Sequence, residues 1–136
     1  MKDKVVQIGV AGYPFSVEVV ETPKERAHGL MGRKHLPDGT GMLFKMRGGP
    51  AQFHMKNTLV PLDILFFDES GTVLKRDVMQ PHIGRSYCNG DIHSVLELPM
   101  GTCDFFDIKV GDKMTSEHTS HDSLLNNLIK EILLAM

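Results

Sequence analysis

Tryptophan is absent from this chain of 136 residues, cysteine occurs only as Cys88 and Cys103, and no apolar run approaches the roughly 20 residues of a bilayer span. The short apolar runs exclude a membrane-spanning helix, and two cysteines are too few for a disulfide-stapled scaffold. The opening MKDKVVQIGVAGYPF has neither the apolar stretch nor the small-residue cleavage site of an export signal. Free thiols and a reducing, cytoplasmic setting are therefore expected. Excess charge is scarce as well. The formal net charge is −2 with Lys and Arg scattered, so there is no basic footprint for nucleic acid. The chain has no Gly-x-Gly-x-x-Gly, no phosphate loop and no Gly-x-Ser-x-Gly elbow; GLMGR and GTGM are turn chemistry.

What the chain does have is apolar residues at 41%, enough to give one ordinary domain a real core. KVVQIGV and FSVEVV are alternating β-branched runs around Ala11, Gly12 and Pro14, which predicts a hairpin. Thr22-Pro23-Lys24-Glu25 combines a capping residue, proline at the first helical position and glutamate three residues after the cap. This predicts a helix from about Pro23 to Met31, with Ala27, Leu30 and Met31 facing the sheet and Gly32 ending it. GMLFKM, FHM, DILFFD and TVLKRDVM read as short strands, residues 80 to 94 as a long polar loop, and SVLELP as another strand. GTCDFFD reads as a short helix capped by Thr102. The fold class expected is α+β: a compact, antiparallel, barrel-like sheet with two short helices and a C-terminal amphipathic helix.

Three blocks carry a family resemblance: ERAHGLMGRKHLPDGTGMLF, FHMKNTLVPLDILFFDESGTV and VLELPMGTCDFFDIKVGD. In this order, with Gly-Leu-Met, Met-Lys-Asn-Thr and Pro-Leu-Asp intact, the chain resembles the domain of unknown function 192 family over about residues 15 to 114. The resemblance implies a β-rich single domain with a small helix packed on it, and no established activity. Two positions depart from the family pattern. His54 stands where a tryptophan is usual, which would make any pocket there smaller, wetter and titratable near neutral pH. Asp107 stands where a glycine is common, and aspartate tolerates the left-handed backbone.

The same blocks place polar groups among apolar ones: Arg26, Arg33, His54, Lys56, Asn57, Asp63 and Glu97. Buried charges must find partners. One expectation is a structural network, with Arg26 or Arg33 paired to Asp63 or Glu97 and Asn57 bonding backbone at the turn before Pro61. The other is a cleft beside Met31 and Met55, in which Arg33, His54, Lys56, Asn57, Asp63 and Glu97 hold a small polar or anionic ligand. Asp63 and Glu97 as an acid/base pair of a hydrolase make a third reading. Cys88 with His82 or His93 matches no common metal spacing, and His28, His35, His118 and His121 form no ligand set. No metal, cofactor or catalytic residue is assigned.

The chain divides into a β-rich domain at 1–114, a polar linker TSEHTSH at 115–121 and a helix at 122–136 capped by Asp122 or Ser123. At about 100° per residue, Leu124, Leu125, Leu128, Ile129, Ile132, Leu133 and Met136 share one face. That arc is wider than a two-stranded coiled-coil seam. The partner expected from it is another protein chain or a second copy. The reading as a whole is a small non-catalytic binding or accessory module; the alternative is a structural or assembly protein, such as a viral or oligomeric scaffold component.

Overall fold

The structure, a computed structural model, describes residues 4–116 and 121–136, and side chains over 4–116 and 128–136. Strands β1 (Lys4–Val10) and β2 (Tyr13–Val20) form the expected hairpin, with Val10 opposite Tyr13 across the turn. Helix α1 (Pro23–His28) starts on a complete capping box: Thr22 accepts from the Glu25 N–H, and Glu25 accepts from the Thr22 N–H. It is shorter than its sequence suggests and buries no residue, and Ala27 is exposed. Gly29, not Gly32, ends it, with φ +49 and its N–H on the Glu25 carbonyl. Leu30 just beyond the end is the buried anchor, at 2% exposure.

Strand β3 (Thr40–Lys45) then runs parallel to β2, the one departure from antiparallel pairing among the described strands. Parallel neighbours need a crossover, and residues 21–39 with α1 supply it. β4 (Ala51–His54), β5 (Leu62–Phe67) and β6 (Val73–Met79) follow where expected. β5 is buried at every position because β6 and β8 (Ser94–Pro99) flank it and both of its faces are covered. This explains its unbroken apolar run. The polar stretch 80–94 is not all loop. It contains β7 (Arg85–Cys88), which pairs with β4 as a separate two-stranded ribbon. Short alternation with arginine and tyrosine facing out and a serine facing in hid this strand, and only a partner distant in sequence completes it.

After β8, the turn α2 (Thr102–Phe105) begins one residue earlier than predicted, with Gly101 as cap; the Thr102 hydroxyl donates to the Pro99 carbonyl instead. β9 (Met114–Ser116) pairs with β1, carrying the sheet into the segment read as linker. Residues 117–120 of that linker lie outside the described residues. α3 (His121–Ala135) follows and passes beside β2.

The large sheet has the order β6-β5-β8-β3-β2-β1-β9, and it curls until its two edges meet at one corner. There Val73 N–H donates to the Asp112 carbonyl (2.8 Å), Gly111 N–H to Val73 (2.9 Å) and Met114 N–H to Gly71 (2.8 Å). The result is a half-barrel with two cores. Phe15, Val17, Leu65, Phe67, Leu96, Leu98 and Cys103 fill one, closed by α2. Met42, Phe44, Ile64, Phe66, Met55 and Ile92 fill the other, covered by the β4–β7 ribbon. Phe53 of the ribbon stands edge-on to Phe44 at 4.9 Å and to Phe66 at 6.1 Å.

Candidate functional site

β5 and β8 decide where the two buried carboxylates go. Asp63 lies opposite Leu98, and Ile64 lies opposite Glu97. Side chains alternate along a strand, so Asp63 and Glu97 project to opposite faces of the sheet. They cannot share a substrate, and the acid/base reading has no geometric support.

Asp63, 2% exposed, accepts from the Cys103 N–H at 2.8 Å. It thereby satisfies a donor in the first turn of α2, which has no capping side chain of its own. Arg76 stands close enough for its charge to attract Asp63, and it also ties down α2 by contacting Asp104 and donating to the Ile108 carbonyl at 2.7 Å. Burial first, and then the Asp63 charge, push the Cys103 thiol up to about 12. That thiol is therefore inert as a nucleophile. Asp63 thus has the buried donor expected of it, but Arg76 is the cation nearby, not Arg26 or Arg33. An arginine in the alternating strand VLKRDVM could have been nominated, since Arg76 pairs opposite Leu65 on the Asp63 face.

Arg33 reaches across to Glu18 in β2, whose carboxylate accepts from both guanidinium Nη atoms. Arg26 donates to the Glu21 carbonyl and, at 3.1 Å, to the Lys45 carbonyl. Asn57 holds φ +59, the left-handed backbone that asparagine accepts more readily than most residues, and its carbonyl accepts from Gly32 N–H at 2.9 Å. Its role in the turn is therefore made by its backbone. Asp107 holds φ +54, the conformation its place in the family pattern requires.

Glu97 is different. It is 4% exposed, and among the described residues its carboxyl has neither a hydrogen bond nor an ion pair. It lines a cavity of about 250 Å³ between the sheet and the covering ribbon. Leu30, Met31, Phe44, Met46 and Phe53 supply apolar wall; the exposed side chains of His28, Gln52 and His54, with Arg26, stand at the mouth. Burial alone pushes the Glu97 carboxyl up to about 8, so at neutral pH it is largely a neutral acid able to donate as well as accept. Of the residues nominated from sequence, Glu97 and His54 line this cavity. Met31 lines it too, whereas Met55, at 1% exposure, is core.

His54 also borders a second, open depression with Gln52, Lys56, His82, Ile83 and Arg85. Its Nδ1 accepts from the Lys56 N–H at 3.2 Å. Arg33, Asn57 and Asp63 line neither space. The walls Phe44 and Phe53 were not singled out from sequence, because aromatic residues in short strands look like any other core. Cys88 is buried in the ribbon-side core, and His93 contacts Asp91 at 3.2 Å. Among the described residues, no three of His, Cys, Asp and Glu gather as a metal cluster, and no helix is long and apolar enough to cross a membrane.

A curled-sheet α+β domain with a ribbon laid over an acid-floored cavity is the class these features define. The family described as "Uncharacterized ACR", the domain of unknown function 192, matches residues 5–116, and the chain belongs to it. A solved structure of a candidate transcription regulator from Sinorhizobium meliloti is 30% identical, with a TM-score of 0.76, covering 85% of this chain and 94% of that one. A protein of unknown function from Novosphingobium aromaticivorans is 33% identical with the same TM-score of 0.76, covering 81% and 84%. No curated protein matches the chain.

Proposed function

We propose that the protein is a small, non-catalytic binding or accessory module whose working site is the cavity over Glu97, and that its C-terminal helix contacts another protein chain. One observation carries the first part: a carboxyl group 4% exposed, without a partner among the described residues, on a residue that lines a cavity. An unpaired buried polar group costs roughly 1–3 kcal/mol, and a scaffold has no use for that cost. A ligand that hydrogen-bonds to Glu97 recovers it. An anion is disfavoured at such a floor; of the two cations nominated for one, Arg33 is engaged by Glu18 and Lys56 does not line this cavity. Small and polar is therefore the ligand class, with an apolar body against Phe44 and Phe53. The relative's description as a candidate transcription regulator suits an accessory role. The net charge of −2 gives no support to direct contact with DNA.

Methyl-labelled methionine offers the test. Met31 and Met46 border the cavity, while Met100 and Met136 do not. Screening small polar fragments by NMR should yield binders that shift the Met31 and Met46 methyls and leave Met136 unmoved. A screen in which no fragment shifts those two signals removes the binding reading.

For the helix, the supporting observation is exposure: Leu128 at 52%, Ile132 at 53% and Leu133 at 63%, on the face that also carries Ile129 and Met136. The Leu125 side chain on that face lies outside the described residues. Each such side chain is worth about 1.5–3 kcal/mol when fully buried. Removing residues after Ser116 should lower the mass in solution or release a partner while melting changes little. An unchanged mass and partner set with a lower melting temperature would place the helix in the core instead.

A further inference from the structure

We infer that the group seated on Glu97 is the cationic end of a compact organic ammonium compound. The inference rests on the cavity being a binding site and goes on to name what it takes.

Three observations converge. First, the floor is an acid without a counter-cation: Arg26, the guanidinium at the mouth, already donates to the carbonyls of Glu21 and Lys45. Second, the walls suit a cation. Phe44 and Phe53 pack edge to face with centroids 4.9 Å apart, so an occupant lies beside the pair, where aromatic surface lines the cavity, and Met31 and Met46 add polarizable thioethers. Third, the volume, about 250 Å³, lies just below the usual range of ligand cavities and suits a small molecule.

Charge decides between ligand classes. An alcohol or amide gains one hydrogen bond with the Glu97 carboxyl. An ammonium gains a charge-assisted bond in a site shielded from water, about twice as strong as a neutral one. A carboxylate ligand meets a group of its own kind. The charged or titratable neighbours of Glu97 are Arg26 and His28 from the α1 side and His54 from the ribbon. On its flanking strands, Met42 and Ile64 stand opposite it, neither of them titratable. The cation therefore sits deep, on Glu97, with its apolar tail toward the mouth. Binding transfers the Glu97 proton to solvent, leaving a carboxylate–ammonium pair.

The test is calorimetric titration of the full chain with n-butylammonium, n-butanol, butyramide and butyrate at pH 6, 7 and 8. The ammonium should bind at least tenfold more tightly than the others at pH 8, and its affinity should rise toward tenfold per pH unit below about 8. Buffers of different ionisation enthalpy should reveal close to one proton released at pH 6. Glu97→Gln should weaken the ammonium tenfold or more and abolish the proton release. Several results overturn the inference: tighter binding of the amide or alcohol, no proton release in the wild-type protein, or ammonium affinity within twofold in Glu97→Gln. If the neutral compounds shift Met31 and Met46 while the ammonium does not, the cavity stands as a site and only the cation falls. If none of the four shifts them, site and cation fall together.

Discussion

Glu97 and Asp63 sit on neighbouring strands, both nearly inaccessible, and their environments differ because alternation sends them to different cores. Asp63 finds a backbone donor, and Glu97 finds only a cavity. The consequence for Glu97 is a pH-dependent stability. Its folded value, about 8, lies above the unfolded 4.5, so the folded state holds the proton more tightly. Stability from this group is full below about pH 4.5, falls as the unfolded chain ionises, and levels off above about pH 8. At about 1.4 kcal/mol per pH unit, the loss is on the order of 5 kcal/mol. Urea denaturation at pH 5 and pH 8, a window holding most of that change, should show the wild-type protein losing about 3–4 kcal/mol more than Glu97→Gln. Equal slopes for the two proteins would mean that Glu97 is solvated.

Helix α2 is a single turn, too short to be stable alone, and it is held from outside. The Asp63 carboxylate takes the Cys103 N–H, and Arg76 grips Asp104 and the Ile108 carbonyl. Asp63→Ala leaves that buried N–H unsatisfied, and about 2–3 kcal/mol of stability should go with it. Cys103, wholly buried in the native protein, should then react with a thiol reagent much faster than in the wild-type protein. A variant that melts as the wild type does, with Cys103 still protected, would assign α2's position to packing alone. The two short helices differ in where their caps come from. The Thr22–Glu25 capping box is wholly local and was legible in the sequence, whereas α2's cap comes from forty residues away along the chain.

The whole molecule depends on the corner where β6 meets the approach to β9. Gly71 makes that closure possible: its φ is +81, and a Cβ there would stand 2.8 Å from the Met114 carbonyl oxygen. Gly71→Val combines left-handed strain with that collision, and about 2 kcal/mol or more of stability should be lost. Hydrogen exchange should locate the damage, with the amides of Val73, Gly111 and Met114 losing protection first. If their protection is unchanged, the curl does not depend on this corner.

Sequence alone determined whatever follows from neighbours along the chain. It marked the hairpin at Ala11–Gly12, the start of α1 at Thr22, the buried runs of β5 and β8, and the family to which the three blocks belong. It also singled out Glu97 and Asp63 as charges among apolar residues. Tertiary structure decided which partner each charge met. The pairing of Arg33 with Glu18, the ribbon of β4 with β7, and β9 on β1 all join segments far apart in sequence. Alternation says that a side chain points up or down, but not what the curled sheet brings to meet it. For Asp63 that was a helix end, and for Glu97 it was a cavity open at one side: the candidate site arises where the described residues supply no partner.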